Sequence, residues 1–138
     1  SKASLFQVEK FMHKLFCVVA LACGTFIVTP ALAQDLTGPQ KNAVRSAKNY
    51  LSFAGFSRDG LIDQLSSPYG DGYDLADATA AVNSLSVDWN AEAVEASKQY
   101  LEMSGFSCKG LIEQLSSEYG NKFTNEQAKY GAEQAGAC

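Results

Sequence analysis

Apolar residues recur at helical spacing through much of the 138-residue chain. Between residues 43 and 51 they fall at i, i+1, i+4, i+7 and i+8, which places them on one face of a helix. Two further apolar edges follow, formed by Leu61, Ile62 and Leu65 and by Leu75, Ala78, Val82 and Leu85. The pattern therefore predicts three short amphipathic helices before residue 88.

The same pattern then occurs a second time. Residues 40–88 align with residues 90–138 without a gap, and about a third of the positions are identical, which marks an internal repeat. The clearest match pairs GFSRDGLIDQLSS in the first copy with GFSCKGLIEQLSS in the second. We therefore predict an all-α protein with two tandem three-helix modules of the helix-turn-helix type, over 40–86 and 87–138. The modules either pack against each other or are held apart by a continuous helix.

Capping residues mark several of the predicted helix starts. Thr37 with Gln40, and Thr124 with Gln127, have the spacing of capping boxes. Ser57 stands where its side chain can accept a free backbone N–H of the second helix. These positions support helix boundaries that the apolar pattern alone leaves loose.

Three glycines are predicted to have structural roles. Gly55 is expected to end the first helix in a left-handed conformation. Gly60 and Gly110 lie inside the second helix of each copy, where glycine costs about 1 kcal/mol relative to alanine. We interpret them as sites of close packing against a neighbouring helix, and the alternative is a hinge or a ligand contact.

The first third of the chain has the pattern of an export signal. A short basic start at residues 12–14 precedes the apolar run LFCVVALACGTFIV, and small residues then lead to Ala33. The run is shorter than the ~20 residues of a membrane-spanning helix. We therefore predict a secretory signal peptide cleaved after Ala33, with residues 34–39 as a short linker and residues 1–11 adding nothing to the signal. The alternative is a lipoprotein with its lipid on Cys23, although the residues before Cys23 fit a lipidation signal poorly.

Residues 34–138 are acidic, with eight basic and fourteen acidic side chains and hence a net charge of −6. Binding to nucleic acid depends on basic side chains that neutralise phosphates, so we expect no nucleic-acid partner. Catalysis is also unsupported, because the only histidine is His13, in the predicted signal peptide. Without a Ser–His or Cys–His pair or a histidine ligand, we predict no enzymatic activity, cofactor or metal. Asp71, Asp74 and Asp77 lack the spacing of a calcium loop and fit turn and cap positions better.

Three segments make the sequence resemble a known family. They are AVRSAKNYLSFAGFSRDGLIDQLSS, DWNAEAVEASKQYLEMSGFSCKGLIEQLSSEYG and FTNEQAKYGAEQAG. The paired YL…FS…GLI.QL blocks, the DWN joint and the FT.EQA.YG segment are similar to the Ltp-type host cell surface-exposed lipoproteins over residues 40–136. The resemblance implies tandem helix-turn-helix modules outside the membrane. It also implies, as in some members, exclusion of superinfecting phage by binding a phage injection protein.

Two departures from the family's pattern bear on these expectations. The lipidation signal is weak, so the protein would lie on a membrane only if Cys23 were modified. The turn after QLSS is longer and more polar than the family's acidic-Gly-Phe form. The alternative function is that of a secreted or envelope-associated structural or cell-wall-binding repeat protein with no role against phage.

The two cysteines after the signal occupy matching places in the repeat. Cys108 aligns with Arg58, and Cys138 aligns with Asp88. We predict that each pair of positions lies close together, as an ion pair in the first copy and as a disulfide in the second. Export to an oxidising compartment permits the disulfide. The alternative is two unrelated thiols.

Aromatic residues near the turns and in the DWN segment are the candidate contacts to a protein partner. Trp89 either packs between the modules or anchors the partner. The same choice applies to Tyr69, Tyr73, Tyr119 and Phe123, which form either core edges or an exposed apolar patch.

Overall fold

The computed structural model describes residues 35–138, which form six α-helices joined by short loops and turns. The helices of the first module are α1 (Gly38–Leu51), α2 (Arg58–Ser66) and α3 (Leu75–Asn83), and those of the second are α4 (Trp89–Met103), α5 (Cys108–Ser116) and α6 (Asn125–Gln134). The predicted all-α class with two tandem three-helix modules is confirmed. Within the described range, no helix combines the length and the apolar character needed to cross a bilayer. The predicted signal peptide and Cys23 lie outside the described residues.

Polar side chains cap the helices where the sequence predicts. Oγ1 of Thr37 accepts the N–H of Gln40, and the Gln40 side chain accepts the N–H of Thr37, so the first capping box is confirmed. Thr124 and Gln127 form the second box in the same way. Oγ of Ser57 accepts a backbone N–H in the first turn of α2 at 2.9 Å. Each such cap satisfies a donor that the helix leaves open and contributes about 1 kcal/mol.

Each module has its own hydrophobic core. Two leucines from the second helix of each module are fully buried in that core. They are Leu61 and Leu65 in the first module and Leu111 and Leu115 in the second. Burying one such side chain stabilises the fold by about 1.5–3 kcal/mol. The residues packed around these leucines are mostly small, which lets the helices approach closely. The buried ones are Ala47, Ile62, Ala78 and Val82 in the first core and Ala93, Ala96, Phe123, Ala128 and Ala132 in the second.

A hydrogen-bond network that ties three elements together occurs in both modules. In the first, the hydroxyl of Tyr50 on α1 donates to Oδ1 of Asp71 in the turn at 2.7 Å and accepts from Nε2 of Gln64 on α2 at 3.2 Å. The second module repeats both distances with Tyr100, Asn121 and Gln114. Because the Asp71 carboxylate accepts the phenolic hydrogen bond, the pKa of Tyr50 is raised.

Two details of the predicted helices are wrong. Leu75 does not line the inner face of α3 but is 63% exposed. It is the first residue of the helix, and the buried residues of α3 begin only at Ala78. The described glycines with positive φ are Gly72 and Gly136, so Gly55 does not end α1 in a left-handed conformation. Gly55 is instead required by close packing between the modules.

The two modules pack against each other, and no continuous helix joins them. Residues 84–88 between α3 and α4 are non-helical. Asp88 ends this segment as the N-cap of α4, with Oδ1 accepting the N–H groups of Asn90 and Ala91 at 3.0 and 3.1 Å. The helix is therefore interrupted at residues 84–88. The first turn of α4 lies beside the first module, where Trp89 contacts the first core.

The modules use the matching positions of the predicted ion pair and disulfide differently. Cys108 and Cys138 form a disulfide with their Cα atoms 4.8 Å apart, which ties the start of α5 to the segment after α6. In the first module, Nη2 of Arg58 binds Oδ1 of Asn83 at 2.7 Å. The predicted Arg58–Asp88 ion pair is wrong, because the Asp88 carboxylate caps α4.

Candidate protein-binding surface

The two tyrosines at the module turns are the most exposed large apolar side chains of the described residues. Tyr69 and Tyr119 are each 100% exposed. Each turn is closed by a 2.9 Å bond from the backbone N–H four residues later to a carbonyl of the preceding helix. Gly70 and Gly120 let each turn lie directly on that helix, because a Cβ there would collide with a carbonyl oxygen. A fixed turn thus holds an aromatic ring in solvent, which suits an interface anchor.

The other three predicted contact residues are partly or wholly enclosed. Phe123 is 3% exposed and belongs to the second core, so a partner cannot reach it. Tyr73 is half-buried against the first core, and its hydroxyl oxygen lies 3.1 Å from Oγ of Ser46. Trp89 is half-buried and packs on the first core although it begins the second module's first helix. The Trp89 side chain therefore anchors the start of α4 on the first core.

A cleft of about 700 Å³ lies between the modules beside Tyr119. Its walls come from α2 and from the end of α5 with the turn that follows. The charged lining is mainly acidic, with Asp59, Asp63 and Glu118 against Lys122. An acidic groove flanked by an aromatic ring is suited to a polypeptide rather than to a phosphate-bearing ligand.

The modules meet where the loop before α2 lies against α4. The N–H of Gly55 donates to Oε1 of Gln99 at 3.3 Å, and the N–H of Phe56 donates to Oε2 of Glu92 at 3.2 Å. Nε2 of Gln99 donates back to the carbonyl oxygen of Phe53 at 3.1 Å. Two side chains of α4 thus satisfy three backbone groups of the loop, which would otherwise need water. We call this set of contacts the joint.

Glycine at position 55 is required by the joint. A Cβ built on Gly55 would collide with the backbone of Ala96 and with the carbonyl oxygen of Glu92. At Gly60 a Cβ would lie 3.0 Å from the carbonyl oxygen of Asn121, so its packing partner is a turn of the second module and not a helix. Gly110, its counterpart, has no such neighbour among the described residues. The predicted packing role therefore applies to Gly60 with a different partner and has no counterpart at Gly110.

Two further contacts connect the modules. Oγ of Ser57 donates to the carbonyl oxygen of Asn121, and Nζ of Lys122 pairs with the carboxylate of Asp63. The hydrogen bond from Lys122 to Asp63 raises the pKa of the lysine. Burial in the joint raises the pKa of Glu92, and the N–H of Phe56 partly offsets this because it stabilises the charged form.

The residues of the joint were not predicted from the sequence, although the differences between the two copies contain a signal for them. The second module carries longer or charged side chains at positions where the first carries shorter or neutral ones. The pairs are Asn42 and Glu92, Asn49 and Gln99, and Gly72 and Lys122. A repeat that differs at positions on one face of α4 and in the turn indicates a contact made by only one of the two copies.

A cluster of potential metal ligands does not occur within residues 35–138. No three His, Cys, Asp or Glu side chains in that range are placed to hold a metal ion. Asp71 accepts the hydroxyl of Tyr50, Asp74 is the N-cap residue of α3, and Asp77 lies in the first turn of that helix. The three aspartates therefore occupy turn and cap positions.

Comparison with known proteins gives a family and a related structure. Residues 39–85 and 88–134 each match the Ltp lipoprotein family, described as host cell surface-exposed lipoprotein. The structure of Ltp, a superinfection exclusion protein from the Streptococcus thermophilus temperate phage TP-J34, is similar with a TM-score of 0.64 and 32% identity. The match covers 72% of this chain and 97% of that chain. No curated protein matches the chain significantly, and neither description names a reaction.

Proposed function

We propose, from the premise that this chain belongs to the Ltp family of host cell surface-exposed lipoproteins, that it is a non-enzymatic exported protein that protects a cell from superinfecting phage. The observation that carries the proposal is the likeness to a superinfection exclusion protein over 97% of that protein's chain. A shared fold alone does not define a function. The likeness here extends to the sequence, at 32% identity.

The proposed partner is a phage injection protein and not DNA. The net charge of −6 on residues 34–138 repels phosphates. In a helix-turn-helix protein the second helix would enter the DNA groove, but α2 exposes Asp59 and Asp63, and Asp63 pairs with the other module. The acidic cleft and the exposed rings of Tyr69 and Tyr119 offer contacts to a polypeptide.

The proposed location is the cell surface or the medium, reached through a signal peptide cleaved after Ala33. The family description supports surface exposure. The soluble form is proposed, and lipid attachment at Cys23 is the alternative. The intact mass of protein recovered from its native host separates them, because the chain starts at Gln34 in one case and at a lipid-modified Cys23 in the other.

Expression of the full chain in a phage-sensitive host tests this function. We expect fewer plaques, unchanged phage adsorption and blocked entry of phage DNA. A version lacking residues 12–33, and hence retained in the cytoplasm, should give no protection. A Tyr69→Ala/Tyr119→Ala double variant should fold and be exported normally but protect less, because both rings lie in solvent. Normal DNA entry into cells that display the folded protein would refute the proposal and favour a structural role in the envelope.

A further inference from the structure

The loops before α2 and α5 share the sequence GFS, but only the first is covered by another part of the described chain. Gly55 is buried and Ser57 is 1% exposed, because α4 and the turn of the second module lie on them. Gly105 and Ser107, at the matching positions, are exposed. The second module therefore presents to solvent the surface that the first module uses to hold a helix.

The exposed loop offers the same backbone groups that the joint satisfies. In the first module, two N–H groups and one carbonyl of the loop bind side chains of α4. The corresponding groups are the N–H groups of Gly105 and Phe106 and the carbonyl of Met103. Among residues 35–138, none of the three has a hydrogen-bond partner. They are placed to receive one donor and two acceptors from another chain.

Two glycines of the second module lack a packing reason within the described chain. A Cβ on Gly105 would meet nothing within 4 Å, and its φ lies outside the left-handed region. A Cβ on Gly110 would approach only Oγ of Ser107, at 3.0 Å. Their counterparts Gly55 and Gly60 are glycines because the second module lies against them. A backbone surface free of side chains is what a closely approaching helix needs.

The surface that holds a helix is present in both modules, but the helix that fits it is not. The fitting face of α4 consists of Glu92, Ala96 and Gln99, and the matching positions on α1 hold Asn42, Ser46 and Asn49. Both asparagines are one methylene shorter than the residues they match, and the hydroxyl of Ser46 is already bonded to Tyr73. A second copy of this chain is therefore a poor occupant, and a helix from another protein is the better one.

We propose that residues 103–107 form a docking site for a partner helix that carries Glu, a small residue and Gln at i, i+4 and i+7, as α4 does. This rests on the proposed function as a protein-binding module and names the kind of segment it binds. The Glu carboxylate accepts the N–H of Phe106, and the Gln side chain binds the N–H of Gly105 and the carbonyl of Met103. Lys109, which stands where the first module has Asp59, further favours an acidic helix.

Titration with a defined peptide tests the site. The probe is a synthetic peptide of residues 86–104, held helical by a staple on the face opposite Ala96, and the target is the 15N-labelled exported protein with its disulfide intact. We expect the amide signals of Gly105 and Phe106 to shift saturably with one peptide per protein. The signals of Gly55 and Phe56 should not shift, because α4 already covers them. Absence of saturable shifts at Gly105 and Phe106 overturns the proposal.

Two matched variants define the contact. In the protein, Gly105→Leu fills the proposed surface; no atom lies within 4 Å of the added Cβ, and the melting temperature should not fall below that of the parent. In the peptide, Ala96→Arg places a large side chain where the small residue should lie. Each change should weaken binding at least about tenfold, equivalent to about 1.4 kcal/mol. Equal binding by either variant overturns the proposed geometry.

The outcomes separate this site from the proposed function. Peptide binding without protection against phage leaves the docking site standing and refutes the phage role. Protection without peptide binding refutes the docking site, since the turn tyrosines would then suffice. If the Gly105 and Phe106 signals instead shift with protein concentration in the absence of peptide, a second copy of the chain is the occupant, and the partner-helix proposal is wrong.

Discussion

The two modules share one pattern of apolar positions but fill the third helix differently. In the first module, α3 places Val82 in the core and Leu85 packs beside it. In the second, α6 presents alanines and Gly131 to α4. A Cβ on Gly131 would collide with the carbonyl of Ala93, so α6 lies directly on the backbone of α4. The closer approach of α6 to α4 thus makes up for the smaller side chains of α6, and the core of the second module is closely packed in a different way from that of the first.

The segments that follow the third helices are also held in different ways. After α3, the chain runs into Trp89, whose side chain packs back onto the first core. After α6, the segment is fixed to the start of α5 by the disulfide between Cys108 and Cys138. The comparison suggests that a packed aromatic residue in one module and a covalent bond in the other serve the same purpose. Each of the following changes tests one side of that comparison.

Removing the disulfide should have the largest effect. The bridge spans 30 residues, and closing a loop of that length in the unfolded chain stabilises the fold by about 3–4 kcal/mol in the chain-entropy treatment. A Cys108→Ser/Cys138→Ser variant should therefore unfold at a lower denaturant midpoint. Circular dichroism during guanidinium unfolding measures the change.

Two controls show whether the cross-link itself is responsible. A reductant should lower the midpoint of the parent protein to that of the double variant and leave the double variant unchanged. Arg58→Ser, at the position matching Cys108, should cost less than about 1 kcal/mol, because its contacts are partly exposed. An unchanged midpoint in the double variant would mean that packing alone holds α6.

Replacing one glycine of each repeated loop should have the next largest effect. Gly55→Ala forces a Cβ into the backbone of α4 and should destabilise the protein by about 1–3 kcal/mol. Gly105→Ala enters open space and should leave stability unchanged or raise it by up to about 1 kcal/mol, because alanine restricts the unfolded chain. Thermal unfolding of the two variants measures the contrast. Equal effects at both positions would contradict the joint as described.

The sequence predicted what depends on local spacing. Apolar periodicity gave the helices, Ser57 and the two threonines gave the caps, and the internal repeat gave the two modules. The joint was missed because its contacts come from single polar side chains, such as Glu92 and Gln99, which have no period. Gly55 was misread for a related reason: a glycine after a helix is usually a left-handed terminator, and only the packed structure reveals a neighbouring backbone.

The candidate surface was predicted only in part. The aligned positions Tyr73 and Phe123 differ by one hydroxyl group, and that group bonds to Ser46 and keeps Tyr73 half-buried, whereas Phe123 enters the core. Tyr69 and Tyr119 share a turn geometry fixed by a glycine, and both lie in solvent. Whether an aromatic residue of a turn faces the core or the solvent depends on which elements the turn lies against, and spacing along the chain does not contain that information.

The smallest predicted effect isolates the one carboxylate of the joint. Burial raises the pKa of Glu92 above its value in the unfolded chain, so the folded state binds the Glu92 proton more tightly than the unfolded state does. The free energy of unfolding therefore falls as the pH rises from about 4.5 through the raised pKa. Glu92→Gln keeps an acceptor for the N–H of Phe56 but has no charge to desolvate. We therefore expect the unfolding free energy of the variant minus that of the parent to be larger at pH 7 than at pH 3, by less than about 1 kcal/mol. Glu102→Gln makes the same charge change at an exposed position of α4 and should show a smaller difference between the two pH values. If urea unfolding shows the same pH dependence for both variants, the charge at position 92 is solvated, and the joint is looser than its hydrogen bonds indicate.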